Sequence, residues 1–340
     1  MQALIECVPN FSEGNDLSII RQIADEIESI TGVKLLNIDP GKATNRTVVT
    51  FVGPPEAVVN AAFLAIKKAG QLIDMSKQKG EHPRMGATDV CPLIPINGIT
   101  LEETAQWAKK LGERVGNELH IPVYLYEASQ PDTSRNNLSI IRAGEYEGFF
   151  NKIKLPEWTP DFGPKDFDAK RGATVIGARD YLIAYNINLN TSSVKLASAI
   201  AGKVRTSGYT IFQNGIKTKM LGNLKALKAM GWYIKEYGVA QVSMNLTNIK
   251  ETPIHIAFEE VCAKANDIGI RVTGSELIGL IPLQCMIDAG NYFLQKQNFA
   301  ETLSEHDIIQ IAIKTMGLGE LSPFNPEERI IEYVLKNKTS

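Results

Sequence analysis

The chain has 340 residues, 44% hydrophobic and 22% charged, with a formal net charge of -2. That balance describes a soluble globular protein able to bury one large core or two domains of ordinary size. The near-neutral charge excludes bulk attraction to nucleic acid or anionic lipid, so any anion site has to be a local cluster. No segment approaches about 18 consecutive apolar residues and the amino terminus has no basic-then-apolar leader, so a cytoplasmic protein with no membrane contact is expected. Cys7, Cys91, Cys262 and Cys285 are far apart in apolar surroundings and lack a C-x-x-C spacing, which reads as buried thiols rather than a disulfide or a metal ligand set.

Residues 3–8 form a short apolar strand stopped by Pro9, and Asn10 to Gly14 read as a polar turn. Leu17, Ile20, Ile23, Ala24, Ile27 and Ile30 recur at helical spacing, with Gly32 just beyond. Residues 33–38 and 47–52 read as strands joined by Asp39 to Arg46. Pro54 and Pro55 open a helix whose stripe runs from Val58 to Leu72, and 90–96 is a strand. This is the order β-α-β-β-α-β, the split βαβ of ferredoxin-like sheets. A helix over 101–119 and a strand over 122–126 extend the half. The segment 151–172 loses periodicity, carries Pro156, Pro160, Gly163 and Pro164, and reads as the linker.

The order then recurs: a strand at 181–189, a helix at 194–204, strands at 224–235 and 239–246, a helix at 253–266 and a strand at 271–274. Helices over 283–294, 305–315 and 327–335 close the chain. The expected fold is α/β (α+β): two ferredoxin-like halves, 1–178 and 179–340, with helices outside and a ligand cleft between the sheets.

Between the second helix and its strand lies a polar loop, 74–90. Gly80, Pro83 and Gly86 restrict its backbone around His82 and Arg84, a titratable group beside a permanent cation. A loop this long inside a compact domain is functional or disordered, and these residues argue for order. Farther on, Asn186 and Asn188 share one strand face, as do Gln241, Ser243, Asn245 and Thr247. An amide buried without a partner costs about 1 to 3 kcal/mol, so the alternatives are a solvated face or a polar ligand site. Two such strands, with polar turns at Asn10, Ser12, Asp39, Asn45 and Arg46, point to a site. His82, His120, His255 and His306 stand on separate elements with no His-x-x-x-His, so no metal is expected. Gly317 to Ser322 and Gly202-Lys203 miss the dinucleotide and P-loop patterns. An RNA-binding module would need exposed aromatics on its strands and a basic surface, and neither is present.

Five stretches carry a resemblance: Cys7-Val-Pro-Asn-Phe-Ser-Glu-Gly14, Gly80-Glu-His-Pro-Arg-Met-Gly86, Arg142-Ala-Gly-Glu-Tyr-Glu147, Gly177 to Leu189, and Gly274-Ser-Glu-Leu-Ile-Gly-Leu-Ile-Pro282. From Leu4 to about Val334 the chain resembles the glutamate formimidoyltransferases, a family that includes the transferase part of formimidoyltransferase-cyclodeaminase. The resemblance implies transfer of a formimidoyl group from N-formimidoyl-L-glutamate to tetrahydrofolate, a co-substrate, in histidine breakdown. It matches the family's catalytic histidine to His82. It matches the folate-binding stretch to Gly163, Pro164, Lys165, Asp166, Phe167, Asp168, Ala169, Lys170, Arg171 and Gly172. It suggests a homodimer and, with no helical extension, release of 5-formimidoyltetrahydrofolate to a separate cyclodeaminase.

The chemistry agrees with that reading. The acceptor nitrogen must lose a proton and the departing glutamate nitrogen must gain one, a task for one neutral histidine, His82. Asp39 either orients the imidazole, faces the amidinium, or forms an Asx turn with Pro40. Arg84 or Arg46 is the expected fork for the donor's carboxylates, and Asn10, Ser12, Asn186, Asn188, Ser243 and Asn245 are the expected substrate contacts. N-formylglutamate, with O for NH at the reacting carbon, remains the alternative donor.

Overall fold

The structure, a computed structural model, describes residues 3–213, 215–299, 301 and 303–337. The chain is mixed α/β and divides into two units, Met1–Asp180 and Tyr181–Ser340.

The first unit carries β1 (Leu4–Cys7), β2 (Asn10–Phe11), α1 (Leu17–Glu28), β3 (Lys34–Gly41), β4 (Arg46–Gly53), α2 (Pro55–Leu72), β5 (Thr88–Asn97), α3 (Leu101–Leu119), β6 (Val123–Glu127), α4 (Leu138–Ile141), α5 (Glu145–Lys152) and β7 (Thr174–Ala178). Local chemistry explains the helix boundaries. Asp16 accepts from the Ser18 and Ile19 amides at the start of α1, and Thr100 with Glu103 forms a reciprocal capping box on α3. β3 and β4 pair, and β4 and β5 flank a position filled jointly by β1 and β2. The strand expected to end at Pro9 therefore resumes at Asn10: Pro9 only interrupts it, and Val49 N still donates to the Pro9 carbonyl at 3.0 Å. β7 and β6 continue the sheet beyond β5, both parallel. Helices α1 to α3 bury one face through Ile23, Ile27, Val58, Phe63, Ile66 and Leu111. Part of the other face is covered by Ile141, Phe149 and Ile153, which pack on Tyr124, Tyr126 and Val175.

Two corrections concern this unit. The segment 151–172 is not a linker: Val123 N donates to Phe162 O at 2.9 Å, Gly172 bridges Gly86, and the unit ends only at Asp180. Its prolines and charges accompany an irregular path that is nonetheless pinned by hydrogen bonds. β7, α4 and α5 escaped the sequence reading because strands and helices of four to eight residues show too little period.

The second unit carries β8 (Ile183–Leu189), α6 (Val194–Val204), β9 (Tyr209–Gln213), β10 (Ile216–Met220), β11 (Leu227–Ile234), β12 (Val239–Leu246), α7 (Ile254–Asn266), β13 (Val272–Ile278), α8 (Leu283–Lys296), α9 (Glu305–Met316), α10 (Pro326–Arg329) and α11 (Ile331–Asn337). Its four-stranded antiparallel sheet has the order β11-β12-β8-β13, so the first and third strands of the β-α-β-β-α-β series are central. Tyr185, Ile187, Ile200, Phe258, Met286 and Ile309 form its core. The β9–β10 ribbon was not expected; the described side chains of β10 are all exposed, so no buried face marks it. The single helix expected over 327–335 is broken at Ile330, where Ile281 exchanges backbone hydrogen bonds with Arg329 and Ile331.

All four cysteines are free. Cys7 and Cys91 are buried with their sulfurs 3.5 Å apart, whereas Cys262 and Cys285 are half-buried rather than fully so. No helix of the described residues is long and apolar enough to cross a membrane.

Candidate functional site

The polar loop after α2 is tied down at nearly every turn. Gln78 Nε2 donates to Asn45 O, Asn45 Nδ2 to Lys79 O and Glu81 N to Ala43 O, at 2.8, 2.8 and 3.2 Å. Ser12 Oγ donates to Gly86 O at 2.7 Å. Two glycines permit this closeness: a Cβ on Gly80 would lie 2.2 Å from Thr44 O, and one on Gly86 would lie 2.1 Å from Ala173 O. Gly80 and Gly86 therefore flank His82 because only a bare backbone fits at both ends.

His82 sits against Arg46, the first residue of β4. Arg46 Nη2 donates to Asn10 Oδ1 at 2.8 Å, while Nη1 has three neighbours. Nη1 has two hydrogens, and two oxygens take them, Asp89 Oδ2 and Pro83 O, each at 2.7 Å. His82 Nδ1 lies 2.9 Å from Nη1 and 2.8 Å from Pro83 O. With both Nη1 hydrogens directed to oxygen, Nδ1 keeps its own hydrogen and donates it to Pro83 O, a tautomer assigned from this network. The basic lone pair then lies on Nε2.

Asp89 holds the cluster together. Opposite the two residues Asn10 and Phe11 stand the three residues Thr88, Asp89 and Val90, so Asp89 is the extra residue of a β-bulge. Bulges turn a side chain out of the regular alternation, and this one lets a fully buried carboxylate bridge two arginines. Its Oδ1 accepts from Met85 N at 2.9 Å. Its Oδ2 accepts from Arg46 and from Arg142 Nη2, the latter at 2.6 Å. Burial acts to raise the Asp89 carboxyl, but Arg142 and Arg46 outweigh it and hold it below the ordinary range. Burial lowers the Arg46 guanidinium to about 10 against the pull of Asp89. Burial, then the charges of Arg46 and Arg142, hold His82 down to about 3 from 6.5, so the imidazole is neutral near pH 7.

The segment 142–147 and the segment 163–172 both pack on this loop. Tyr146 N donates to Arg84 O and Tyr146 OH to Ala169 O, while Ala87 N donates to Arg171 O. Phe167 packs among Tyr146, Phe149 and Phe150, with ring centroids 4.5 to 5.6 Å apart. Within the segment Asp168 and Arg171 pair with each other, and Lys170 Nζ donates to Gln71 O at the end of α2. Gly163, Lys165, Asp166, Ala169 and Lys170 are exposed, whereas Pro164 is partly buried and Gly172 bridges the His82 loop.

Of the expected site residues, His82, Arg46, Asn10 and Ser12 come together. Asp39 pairs with Val48 inside β3, which continues through Pro40 to Gly41; the register puts it on the sheet face of Arg46 and Asn10. Arg84 behaves otherwise. Its fork lies on Glu147, at 2.7 and 3.1 Å, with Nε on Gln78 Oε1 at 2.8 Å, and it anchors the loop to α5. Asn186 and Asn188 lie in the second unit among amides and carboxylates. There Asn186 donates to Glu276, Gln241 to Asn188, and Asn188 to Glu320, while Ser243 is partly buried and Asn245 exposed.

The sequence reading missed Asp89 and Arg142. An acidic residue inside the entry to an apolar strand was the available signal for Asp89, and Arg142 opens one of the family-like stretches. Among the described residues no group of three or more His, Cys, Asp or Glu is arranged to hold a metal ion.

Residues 4–179 match the model of the formiminotransferase domain, N-terminal subdomain, and residues 184–336 that of the formiminotransferase domain. The chain is 47% identical over 336 residues to a formimidoyltransferase-cyclodeaminase of Gallus gallus, covering 99% of this chain and 60% of that protein. It is 42% identical to a glutamate formimidoyltransferase of Thermoplasma acidophilum, covering 88% of this chain and 95% of that protein. A glutamate formimidoyltransferase of Streptococcus pyogenes is 40% identical, with 88% and 96% covered. The chain thus spans about 60% of the length of its bifunctional relatives.

Proposed function

The chain belongs to the formiminotransferase-domain family, and from that premise we propose that it moves a formimidoyl group from N-formimidoyl-L-glutamate to N5 of tetrahydrofolate, yielding 5-formimidoyltetrahydrofolate and L-glutamate. The observation that carries the reading is His82 held with Nδ1 2.8 Å from Pro83 O and 2.9 Å from Arg46 Nη1, its imidazole kept neutral by burial and by the charges of Arg46 and Arg142.

Tetrahydrofolate supplies the attacking nitrogen. His82 Nε2 takes the proton that this nitrogen sheds and returns it to the departing glutamate nitrogen, so one residue serves both halves of the exchange. A histidine held near 3 is a weak base but, once protonated, a strong acid, and the poor amine leaving group is where an acid helps most. Pro83 O fixes the ring, while Arg46 and Asn10 fix the face it presents. Asp39, on the same sheet face, supplies a carboxylate for the donor's amidinium. Gly163 to Gly172, packed beside the His82 loop around Phe167, holds the folate. Lys165 and Lys170 are its cations for the acidic tail. A homodimer and a separate cyclodeaminase acting on the product belong to the same proposal.

The test is turnover of the purified protein with tetrahydrofolate and either N-formimidoylglutamate or N-formylglutamate. The formimidoyl donor is expected to be preferred, and His82→Ala to lose about 10² to 10⁴ in kcat. Preference for the formyl donor changes the substrate, and no reaction with either donor overturns the reading. Sedimentation of the same sample tests the dimer.

A further inference from the structure

The stretch Arg142 to Glu147 has a structural part to play, through Tyr146, Glu145 and Glu147 against Arg84, in which the Arg142 side chain takes no share. Arg142 follows α4, and Lys152 Nζ donates to the carbonyls of Ile140 and Ile141 before it and Ala143 after it, at 2.8, 2.7 and 3.0 Å, so its backbone is fixed. Its side chain is only 12% exposed and spends Nη2 on Asp89. Its Nε is buried with no hydrogen-bond partner. A buried, charged N–H left unmet is costly, and such groups in a native protein call for a partner.

The ion pairing points the same way. Arg46 and Arg142 both reach the same oxygen of Asp89, Oδ2, so two buried guanidiniums divide one carboxylate oxygen between them. Buried charge is stable only when paired. A partner for Arg142 Nε must accept a hydrogen bond from a guanidinium, and a carboxylate matches a guanidinium edge.

Resting on the function proposed above, we infer that Arg142 binds the α-carboxylate of the glutamyl donor and so sets donor specificity. The transferred group hangs on the α-nitrogen, so the α-carboxylate is the anion nearest the reacting carbon. Arg142 is linked to His82 by three contacts of 2.6, 2.7 and 2.9 Å through Asp89 and Arg46. The γ-carboxylate and the acceptor's acidic tail lie farther from the reacting atoms. Bound there, the carboxylate offsets the part of the lowering of His82 that comes from the charges of Arg46 and Arg142, the larger part coming from burial.

The experiment compares wild type, Arg142→Gln and Arg142→Lys, the last keeping a charge beside Asp89 while losing the Nε donor. Donors are N-formimidoylglutamate, the 4-aminobutyrate analogue lacking the α-carboxylate, and N-formimidoylglutamine lacking the γ-carboxylate. Wild type should prefer the full donor over the 4-aminobutyrate analogue by roughly tenfold to a hundredfold in kcat/KM, and both variants should lose that preference. A merely structural role would slow all donors alike and leave the preference intact, which overturns the inference. So does a collapse confined to the γ-amide donor, or a loss that appears only in the tetrahydrofolate KM and vanishes with tetrahydropteroate. Calorimetric titration of N-formimidoylglutamate separates this inference from the function it rests on. Donor binding that Arg142→Gln abolishes, without turnover by wild type, keeps Arg142 as the carboxylate contact and overturns only the transferase reading. No donor binding by wild type overturns both.

Discussion

The two units run through the same β-α-β-β-α-β series, yet their polar residues are used in opposite ways. In the second unit the strand residues Asn186, Asn188 and Gln241 are buried but neutral, and they satisfy one another and the carboxylates of Glu276 and Glu320, with Trp232 and Tyr237 donating at the edges. In the first unit the buried cluster around Asp89 is ionised, and one of its N–H groups, Arg142 Nε, is left over. The difference arises from backbone irregularity. β8 and β12 pair in unbroken register, which presents amides in facing rows that saturate each other. β1 and β2 are interrupted at Pro9 and β5 bulges at Asp89, which lets groups from β4, β5, the His82 loop and the end of α4 converge on one point. A saturated network stabilises a fold, whereas an unsaturated, charged one is equipped to take a ligand.

The largest expected effect breaks the charged cluster. Asp89→Asn removes the one carboxylate between two buried arginines and should lower stability by about 3 to 5 kcal/mol. Urea unfolding would read this as a lower midpoint at unchanged slope. A loss under about 1 kcal/mol would mean that the arginines do not depend on Asp89.

Glu6 in β1 is the intermediate case. It is buried like Asp89, but its burial outweighs the field of Arg179 and pushes the carboxyl up to about 7 from 4.5. The folded protein keeps this proton while the unfolded chain releases it, so stability falls as pH rises from 4.5 to 7. The ionised form should cost about 3 kcal/mol above that range. Glu6→Gln should therefore gain stability over wild type at pH 8 and gain little at pH 4.5. A gain equal at both values would show that Glu6 does not titrate in this window.

The smallest effect belongs to the saturated network. Glu276→Gln keeps an acceptor for one of Asn186 and Tyr237, which donate to different oxygens, and should cost only about 0.5 to 1.5 kcal/mol by the same unfolding measurement. A loss matching that of Asp89→Asn would erase the contrast between the units.

Much of the fold was legible because it is periodic. The bounds expected for α3, α6 and β12 agree with those observed, since each has a long amphipathic or alternating pattern and clear caps or turns. The family resemblance was legible in the same way, from contiguous stretches of sequence. The ordered loop around His82 followed from its glycines and proline. Short elements without period, β7, α4 and α5, were not legible, and neither was the packing of 151–172 onto β6.

The division within the site follows the same line. His82, Arg46 and Asn10, which the structure brings together, were singled out because each lies in a turn or strand end whose chemistry is written in its immediate neighbours. Only the tertiary structure decided that Arg84 is consumed by Glu147, that Asn188 and Glu320 meet across 132 residues, and that Asp89 and Arg142 meet across 53. Periodicity, caps and turns are determined by residues a few positions apart, and so by sequence. Whether a buried charge is paired or left in want of a partner depends on which distant segments the closed chain brings against it.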